Sequence, residues 1–274
     1  MTDLVVRRLL IDLETPFPQR WNGQDAFRSA FFNALSMSFP VGEQFFIDSV
    51  REGLKQLPAP EQARLTHEVK GFIGQEATHR RVHALFNQHL EDGGLTNTIA
   101  VRSAKRIAAH AHLNVRMHLA ATAATEHFTA LFADWMLRHP EALEGAEPRL
   151  QTLWLWHSAE ESEHRSTAFD LYQALGGDHQ RRVRVFRIVT LIFLTDLLRQ
   201  TLRNLWHDGC LFRWRTWQSA GRLLWAKDGL IRGNLGLWRD YLRADFHPED
   251  HDASRSQVWL RDNTAHFTPV GQST

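Results

Sequence analysis

The order of apolar and polar residues along the chain favours helices over strands. Alternation at every second position, the pattern typical of a half-buried strand, is nearly absent. Long stretches without proline instead combine apolar residues with Ala, Arg, Glu and Gln, which are good helix formers. These stretches predict helices at 24–38, 40–56, 60–92, 97–139, 147–176, 179–207, 214–227 and 233–244, and we expect 97–139 to bend or break.

Proline and glycine mark the joints between the predicted helices. The segment "LPAPEQARL" supplies a proline-marked helix start, and "EDGGL" and "ALGGD" supply glycine stops. The predicted class is therefore all-α. The 274 residues are expected to form one domain, 1–274, with a four-helix bundle core at 20–178, additional N-terminal and C-terminal helices, and 179–250 packed on that core.

The amino-acid composition is typical of a folded, globular protein. Hydrophobic residues make up 43% and charged residues 23%, and the formal net charge is +1. The one cysteine, Cys210, excludes an internal disulfide framework and a zinc ribbon. The N-terminus lacks the features of a signal peptide, and the longest apolar stretch, 188–198, is shorter than the roughly 20 residues that span a bilayer. A cytoplasmic location is expected.

Two predicted helices carry the same pair of metal-ligating residue types. Glu76 and His79 are three positions apart, and Glu161 and His164 repeat this E-x-x-H spacing. Residues three apart lie on one face of a helix, so each pair can present a carboxylate oxygen and an imidazole nitrogen to the same ion. One such pair is weak evidence for a metal site, but two are harder to obtain by chance.

A lone glutamate precedes each pair in an otherwise apolar helix. Glu43 lies in "FPVGEQFF" and Glu126 lies in "AATAATEHFTALF". An isolated carboxylate among residues expected to be buried has a large desolvation cost unless it is protonated, paired or bound to metal. We therefore expect a positive charge beside both.

The spacing of these glutamates predicts how the helices meet. Glu43 and Glu76 are 33 residues apart and Glu126 and Glu161 are 35 apart, which lets two antiparallel hairpins place each pair at one level. Two glutamates and two E-x-x-H pairs on four helices form the ligand set of di-iron and di-manganese carboxylate bundles. Four carboxylates balance two divalent ions, for which iron is our choice and manganese the alternative.

Several side chains near the two motifs are further candidates for metal ligands. His157 is four residues before Glu161 and can join the metal ligands, whereas His83 is expected outside them. Glu161 is preferred to its neighbours because it keeps the spacing of Glu76 and His79. We expect the other candidates to face solvent, pair with arginines, pack or lie in a polar turn: Glu160, Glu163, His127, His247 and His251.

The motifs resemble those of a known superfamily over most of the chain. The segments "FPVGEQFF", "GQEATHRRVH", "TEHFTA", "HSAEESEHR" and "LLWAKDGLIRGNLGLWRDYLRADFHPEDHD" are similar to the ferritin-like superfamily and, within it, to the bacterial family labelled predicted metal-dependent hydrolase. The H-x-x-x-E-x-x-H segment also resembles the arylamine N-oxygenase branch of di-iron enzymes, where an added histidine joins the ligands. This resemblance implies a ferritin-like bundle with two metals.

The favoured function is an O₂-activating di-iron oxygenase or oxidase that acts on a hydrophobic small molecule. Glu43, Glu76, Glu126 and Glu161 would carry the catalysis, with His79, His157 and His164 as further ligands of the two iron ions. An external donor would supply electrons, since no flavin or ferredoxin-like motif is present. The alternative is a two-metal hydrolase with a bridging water as nucleophile, and a non-catalytic iron-binding bundle is disfavoured.

The C-terminal third is basic and rich in tryptophan. Residues 180–245 contain 13 Lys and Arg against 5 Asp and Glu, so they carry +8 while the remainder carries −7. Such a run suits a peripheral membrane contact, but packing on the bundle with arginines outward is the favoured interpretation. Nucleic acid is disfavoured as a partner, and a homodimer is left open.

Overall fold

The computed structural model describes residues 4–270 of the chain, and most of them are helical. The helices are α1 (Ala26–Lys55), α2 (Ala59–Asp92), α3 (Thr98–Ala109), α4 (Val115–Arg138), α5 (Pro148–His164), α6 (Thr167–Ala174), α7 (His179–His207), α8 (Trp214–Trp225), α9 (Leu230–Asp240) and α10 (Ser254–Asp262). Two short antiparallel strands, β1 (Arg7–Leu9) and β2 (Phe267–Pro269), join the two ends. The all-α prediction is confirmed.

The prediction of two helices on either side of Pro40 is wrong, because α1 continues through this proline. Proline has no N–H, so the backbone carbonyl of Ser36 lacks its usual partner four residues later. The side chain of Asn87 on α2 takes that place, donating from Nδ2 to the Ser36 oxygen at 2.9 Å. A tertiary hydrogen bond thus replaces the helical one.

Two of the long predicted helices are each divided. The stretch 97–139 breaks as expected, with α4 beginning after Asn114, whose side chain accepts a hydrogen bond from the N–H of Met117. The stretch 147–176 also divides, at Arg165 and Ser166, where the sequence predicted one helix. Helix α10 lies beyond the last predicted helix.

Four of the helices form the core that holds the candidate site. Helix α1 packs along α2, α4 packs along α5, and α1 also contacts α4. This arrangement is compatible with a four-helix bundle. Around it, α7 lies against α1 and α4, α8 lies against α1, and α9 lies against α4.

The apolar core falls into two clusters that lie at opposite ends of the long helices. The first contains Phe32, Met37, Phe86, Trp135 and Trp154. The second contains Phe46, Val50, Phe72, Leu119 and Phe169. On α1, Met37 and Phe46 bracket Glu43, and on α2, Phe72 and Phe86 bracket His79. A layer of buried polar residues therefore lies between two apolar ones.

Candidate metal centre

All seven ligands suggested by the sequence meet inside the protein. Helix α1 supplies Glu43, α2 supplies Glu76 and His79, α4 supplies Glu126, and α5 supplies His157, Glu161 and His164. None is more than 4% exposed. Helical spacing explains the convergence, because residues three, four and seven apart on α5 share one face.

The side chains form two groups, each able to hold one ion. The first group is Glu43, His79 and His157, and the second is Glu76, Glu126, Glu161 and His164, with the ligand atoms of a group within 4.8 Å of one another. Glu76 and His79 fall in different groups, so the binding of one ion by this pair stays a prediction.

Glu161 lies between the two groups. Its Oε1 atom is 2.9 Å from Nε2 of His157, 3.3 Å from Nδ1 of His79 and 3.7 Å from Nε2 of His164. Glu76 makes a second close approach, with its Oε1 atom 3.0 Å from Nε2 of His164. A carboxylate in the position of Glu161 has one oxygen near ligands of both groups, as a bridging ligand requires.

Many of the converging atoms have no hydrogen-bond partner among residues 4–270. Both carboxylate oxygens of Glu43, Glu76 and Glu126 are buried without one, and so are Oε2 of Glu161, Nδ1 of His79 and Nε2 of His164. Buried polar atoms are nearly always satisfied in folded proteins, so this concentration needs a ligand. Carboxylate oxygens and imidazole nitrogens are donors that divalent metals accept, and the residues therefore fit two ions.

The histidines are held by hydrogen bonds on their outer nitrogens. His79 Nε2 lies 2.9 Å from Oε2 of Glu160, and His164 Nδ1 lies 2.9 Å from Oε1 of Gln75. Such partners fix the orientation of a ligating imidazole and leave its other nitrogen free for metal. The unpartnered nitrogens of His79 and His164 are those that face the centre.

Arg7 lies outside the bundle and connects Glu160 and Gln75, the partners of the two histidines. Its guanidinium donates to Oε1 of Glu160 at 3.1 Å and to both oxygens of Glu163. Glu163 in turn accepts a hydrogen bond from Nε2 of Gln75 at 2.9 Å. Glu160 and Glu163 are expected from the sequence either to face solvent or to pair with arginines, and both pair with Arg7. Glu160 is also fully buried.

His83 supports His157 and lies outside both groups. Its Nε2 atom is 2.6 Å from Nδ1 of His157, and its Nδ1 atom is 2.8 Å from Oγ of Ser36. The Nε2 atom of His157 therefore faces the centre. This supporting position agrees with the expectation that His83 lies outside the metal ligands.

Burial and crowding strongly perturb the ionisation of these groups. Burial raises the pKa of Glu43 and Glu76, and burial with the charge of Glu161 raises the pKa of Glu126 to about 8. Burial opposes protonation of His79, yet the nearby carboxylates of Glu160 and Glu161 raise its pKa to about 10. Without metal, Glu43, Glu76 and Glu126 therefore favour bound protons, whereas the charge of His164 and hydrogen bonds from neighbouring histidines outweigh burial and hold the pKa of Glu161 well below its ordinary value.

The remaining histidine candidates lie apart from the centre. His127 is buried against Tyr241 and Phe246, and burial lowers its pKa to about 3. His247 pairs with Asp170 at 2.8 Å beside a short turn, and His251 lies 3.3 Å from Asp240. These positions agree with packing and a polar turn.

Sequence reasoning missed the supporting layer. Arg7 lies in a segment examined only as a leader, and Gln75 precedes Glu76 without any metal-binding spacing of its own. The signals available were an arginine before a short apolar run and a glutamine next to a ligand. Neither signal specifies a contact across the fold.

Comparison with known proteins agrees with a metal centre. The family described as predicted metal-dependent hydrolase matches residues 5–252. No curated protein and no solved structure shows a significant match. Within residues 4–270, none of the helices has the length and apolar character needed to cross a membrane. Since the match covers nearly all of the chain and includes every residue of both groups, this protein belongs to the predicted metal-dependent hydrolase family.

Proposed function

We propose that this protein is a hydrolase that uses two divalent ions held by the two ligand groups. The observation that carries the proposal is the convergence of buried carboxylate and imidazole atoms that have no partner among the described residues. When bound, two such ions would supply Lewis acidity and an activated water as nucleophile. The description of the family supports hydrolysis as the reaction.

The side chains around the centre have distinct tasks in this proposal. Glu161 lies between the groups and would hold the two ions at a fixed separation. Glu160, Gln75 and His83 keep the three imidazoles oriented through their outer nitrogens. Orientation before binding reduces the rearrangement needed when metal and substrate arrive.

The apolar clusters would keep bulk water from the centre. The ring of Phe72 lies edge-on against His164, and the ring of Trp156 lies edge-on against His79. In such surroundings the interactions between charges are stronger than in water. The walls thereby increase the effect of each charged ligand on a reacting group.

O₂-dependent oxidation is the second candidate, and it rests on a donor set that suits iron. Four carboxylates and three imidazoles without a thiolate suit iron or manganese better than a structural zinc site. We propose iron as the natural metal, with manganese as the alternative. Under this candidate the resemblance to ferritin-like di-iron enzymes applies, the substrate is a hydrophobic small molecule, and electrons come from an external donor.

Metal reconstitution separates the two candidates. The purified chain would be stripped and loaded without oxygen with Fe(II), Mn(II) or Zn(II), and then tested against ester, amide and phosphoester substrates. Hydrolysis in the absence of O₂ that requires metal supports the first candidate. Oxygen uptake and a transient visible band with Fe(II), without hydrolysis, support the second.

Matched variants show whether either activity comes from this centre. Glu43→Gln keeps the shape of the side chain and removes one ligand charge of the first group. Glu52→Gln is the control because Glu52 is exposed on the same helix. Activity that is lost in the first variant and kept in the second assigns the reaction to the centre, and equal activities would overturn the proposal.

A further inference from the structure

Helix α7 has an apolar stripe on its outer face. Ile188, Leu191, Leu194 and Leu198 are between 46% and 67% exposed, and Trp206 near the end of the helix is 67% exposed. Their spacing places them on one side of the helix, along about 27 Å at 1.5 Å per residue. The opposite side packs on the bundle through a mixture of apolar and polar side chains, among them Phe186, Leu197 and Gln200.

The stripe continues past the end of the helix. After a turn, Phe212 is 84% exposed and Trp214 is 73% exposed. The rings of Trp206 and Phe212 touch edge-on, with centroids 6.1 Å apart. We use "α7 stripe" for Ile188, Leu191, Leu194, Leu198, Trp206, Phe212 and Trp214. The favoured expectation that the apolar residues of 180–245 pack on the bundle does not hold for the α7 stripe, because its side chains are exposed.

Exposed arginines of α7 border the stripe, whereas the acidic residue of this helix is buried. Arg184, Arg187 and Arg203 are exposed, and no carboxylate within residues 4–270 pairs with them. The one acidic residue of α7, Asp196, is buried and bonded to Arg102 and Arg106. Residues 180–245 carry a net +8, which concentrates positive charge around the exposed apolar side chains.

This combination selects one kind of partner. A second copy of the chain, joined through the same stripe, would bring arginines against arginines, because α7 offers no exposed carboxylate to pair with them. An anionic bilayer surface satisfies both features, since leucine and tryptophan enter the boundary between headgroups and acyl chains while arginines bind lipid phosphates. Charge complementarity therefore favours lipid.

We propose that the α7 stripe is a membrane-docking surface that binds anionic lipid bilayers, with the helix lying in the plane of the membrane. The metal centre and the stripe are separate features, so docking does not depend on the proposed reaction. A protein held in this way would act at a membrane surface.

Vesicle sedimentation with the full chain tests this proposal. One set of vesicles would contain phosphatidylcholine alone, and the other would include about a third phosphatidylglycerol. We expect binding to the anionic vesicles, accompanied by a blue shift of tryptophan fluorescence, and about tenfold weaker binding to the neutral ones. Raising salt should weaken binding because it screens the arginines.

Variants distinguish docking from general stickiness. Leu191→Gln with Leu198→Gln shortens the stripe, and the matched control is Leu85→Gln with Val101→Gln, which alters exposed apolar residues elsewhere. The stripe variant should lose about tenfold in vesicle binding and the control should bind normally. Circular dichroism and the metal content of each variant show that its fold is intact.

Three results would overturn the proposal. The first is absence of binding to anionic vesicles, and the second is equal binding by the stripe variant and the wild type. The third is a stable dimer by light scattering that the stripe substitutions dissociate, because that would assign the surface to a second copy of the chain.

Discussion

The guanidinium of Arg7 donates a hydrogen bond to the carboxylate of Glu160, with 3.1 Å between Nη1 and Oε1. The same carboxylate lies 2.9 Å from Nε2 of His79 through its other oxygen. A residue near the N-terminus is thus one hydrogen-bonded side chain away from a candidate metal ligand on α2. Hydrogen bonds thus connect the candidate metal centre to a segment outside the four helices that supply its residues.

Arg7→Gln should weaken both stability and metal binding. It would remove the guanidinium partner of the buried Glu160 carboxylate, and removing one partner of a buried ion pair typically costs about 3 kcal/mol in the free energy of unfolding. Loss of an outer support should lower metal affinity about tenfold or more. Arg8→Gln is the control, since Arg8 is exposed beside it. Equal metal affinities in a chelator competition would contradict the role given to Arg7.

Gly71→Ala should disturb the same support from the side of α2. A Cβ at this position would lie 2.5 Å from Cβ of Leu4 and 2.9 Å from its backbone oxygen, so the N-terminal segment would have to move. We expect a loss of about 1–3 kcal/mol in urea unfolding. Gly221→Ala in α8 has nothing within 4 Å and should be neutral or stabilising. The prediction fails if both variants behave alike.

The bond between Asn87 and Ser36 explains why α1 tolerates Pro40, and a double-mutant cycle can test it. Asn87→Ala leaves the carbonyl of Ser36 without its donor and should cost about 1–3 kcal/mol in the free energy of unfolding. Pro40→Ala supplies a backbone N–H to that carbonyl. The double variant should therefore be more stable than the two single effects predict. Simple additivity in denaturant unfolding would exclude this explanation.

The metal-free protein should lose stability as pH rises from 6.5 to 8 and beyond. The pKa of Glu126 is raised to about 8 and that of His79 to about 10, both above their unfolded values. Groups with raised pKa values favour the folded state at low pH, and this contribution is lost as pH passes through the folded value.

Thermal unfolding of apo and loaded protein across this range measures that effect. Metal ions replace protons on the carboxylates, so loading with Mn(II) or Fe(II) should raise the melting temperature more at pH 8 than at pH 6.5. Protons released on binding should be detectable by calorimetry in buffers of different ionisation enthalpy. A metal-induced stabilisation that shrinks as pH rises would contradict the protonated apo state.

The convergence of the candidate ligands could be predicted from sequence because helical spacing determines which residues share a face. Glu161 and His164 share a face at any position in the fold, and the separation of Glu43 from Glu76 matches two helices joined by a short turn. Their convergence then needs only the hairpins to close. The family match and the two ligand groups agree with a metal-binding bundle.

Helical spacing could not predict how the candidate ligands divide between the two groups, or which residues hydrogen-bond to them from outside. The choice of group for Glu76 and His79 depends on how far α2 is shifted along α5, which spacing within one helix does not encode. Arg7 reaches Glu160 across 153 positions of sequence. Pro40 misled the helix assignment because its compensation comes from Asn87 on another helix.

Metal analysis of the purified protein tests the central claim most directly. Protein from iron-supplemented cells, and protein reconstituted with Fe(II) or Mn(II), should hold two ions per chain, one for each ligand group. Glu161→Ala should lose both ions because it lies between the groups, while Glu52→Ala should keep them. A chain that holds no ions, or a Glu161→Ala variant that still holds two, would contradict a dinuclear centre at this position.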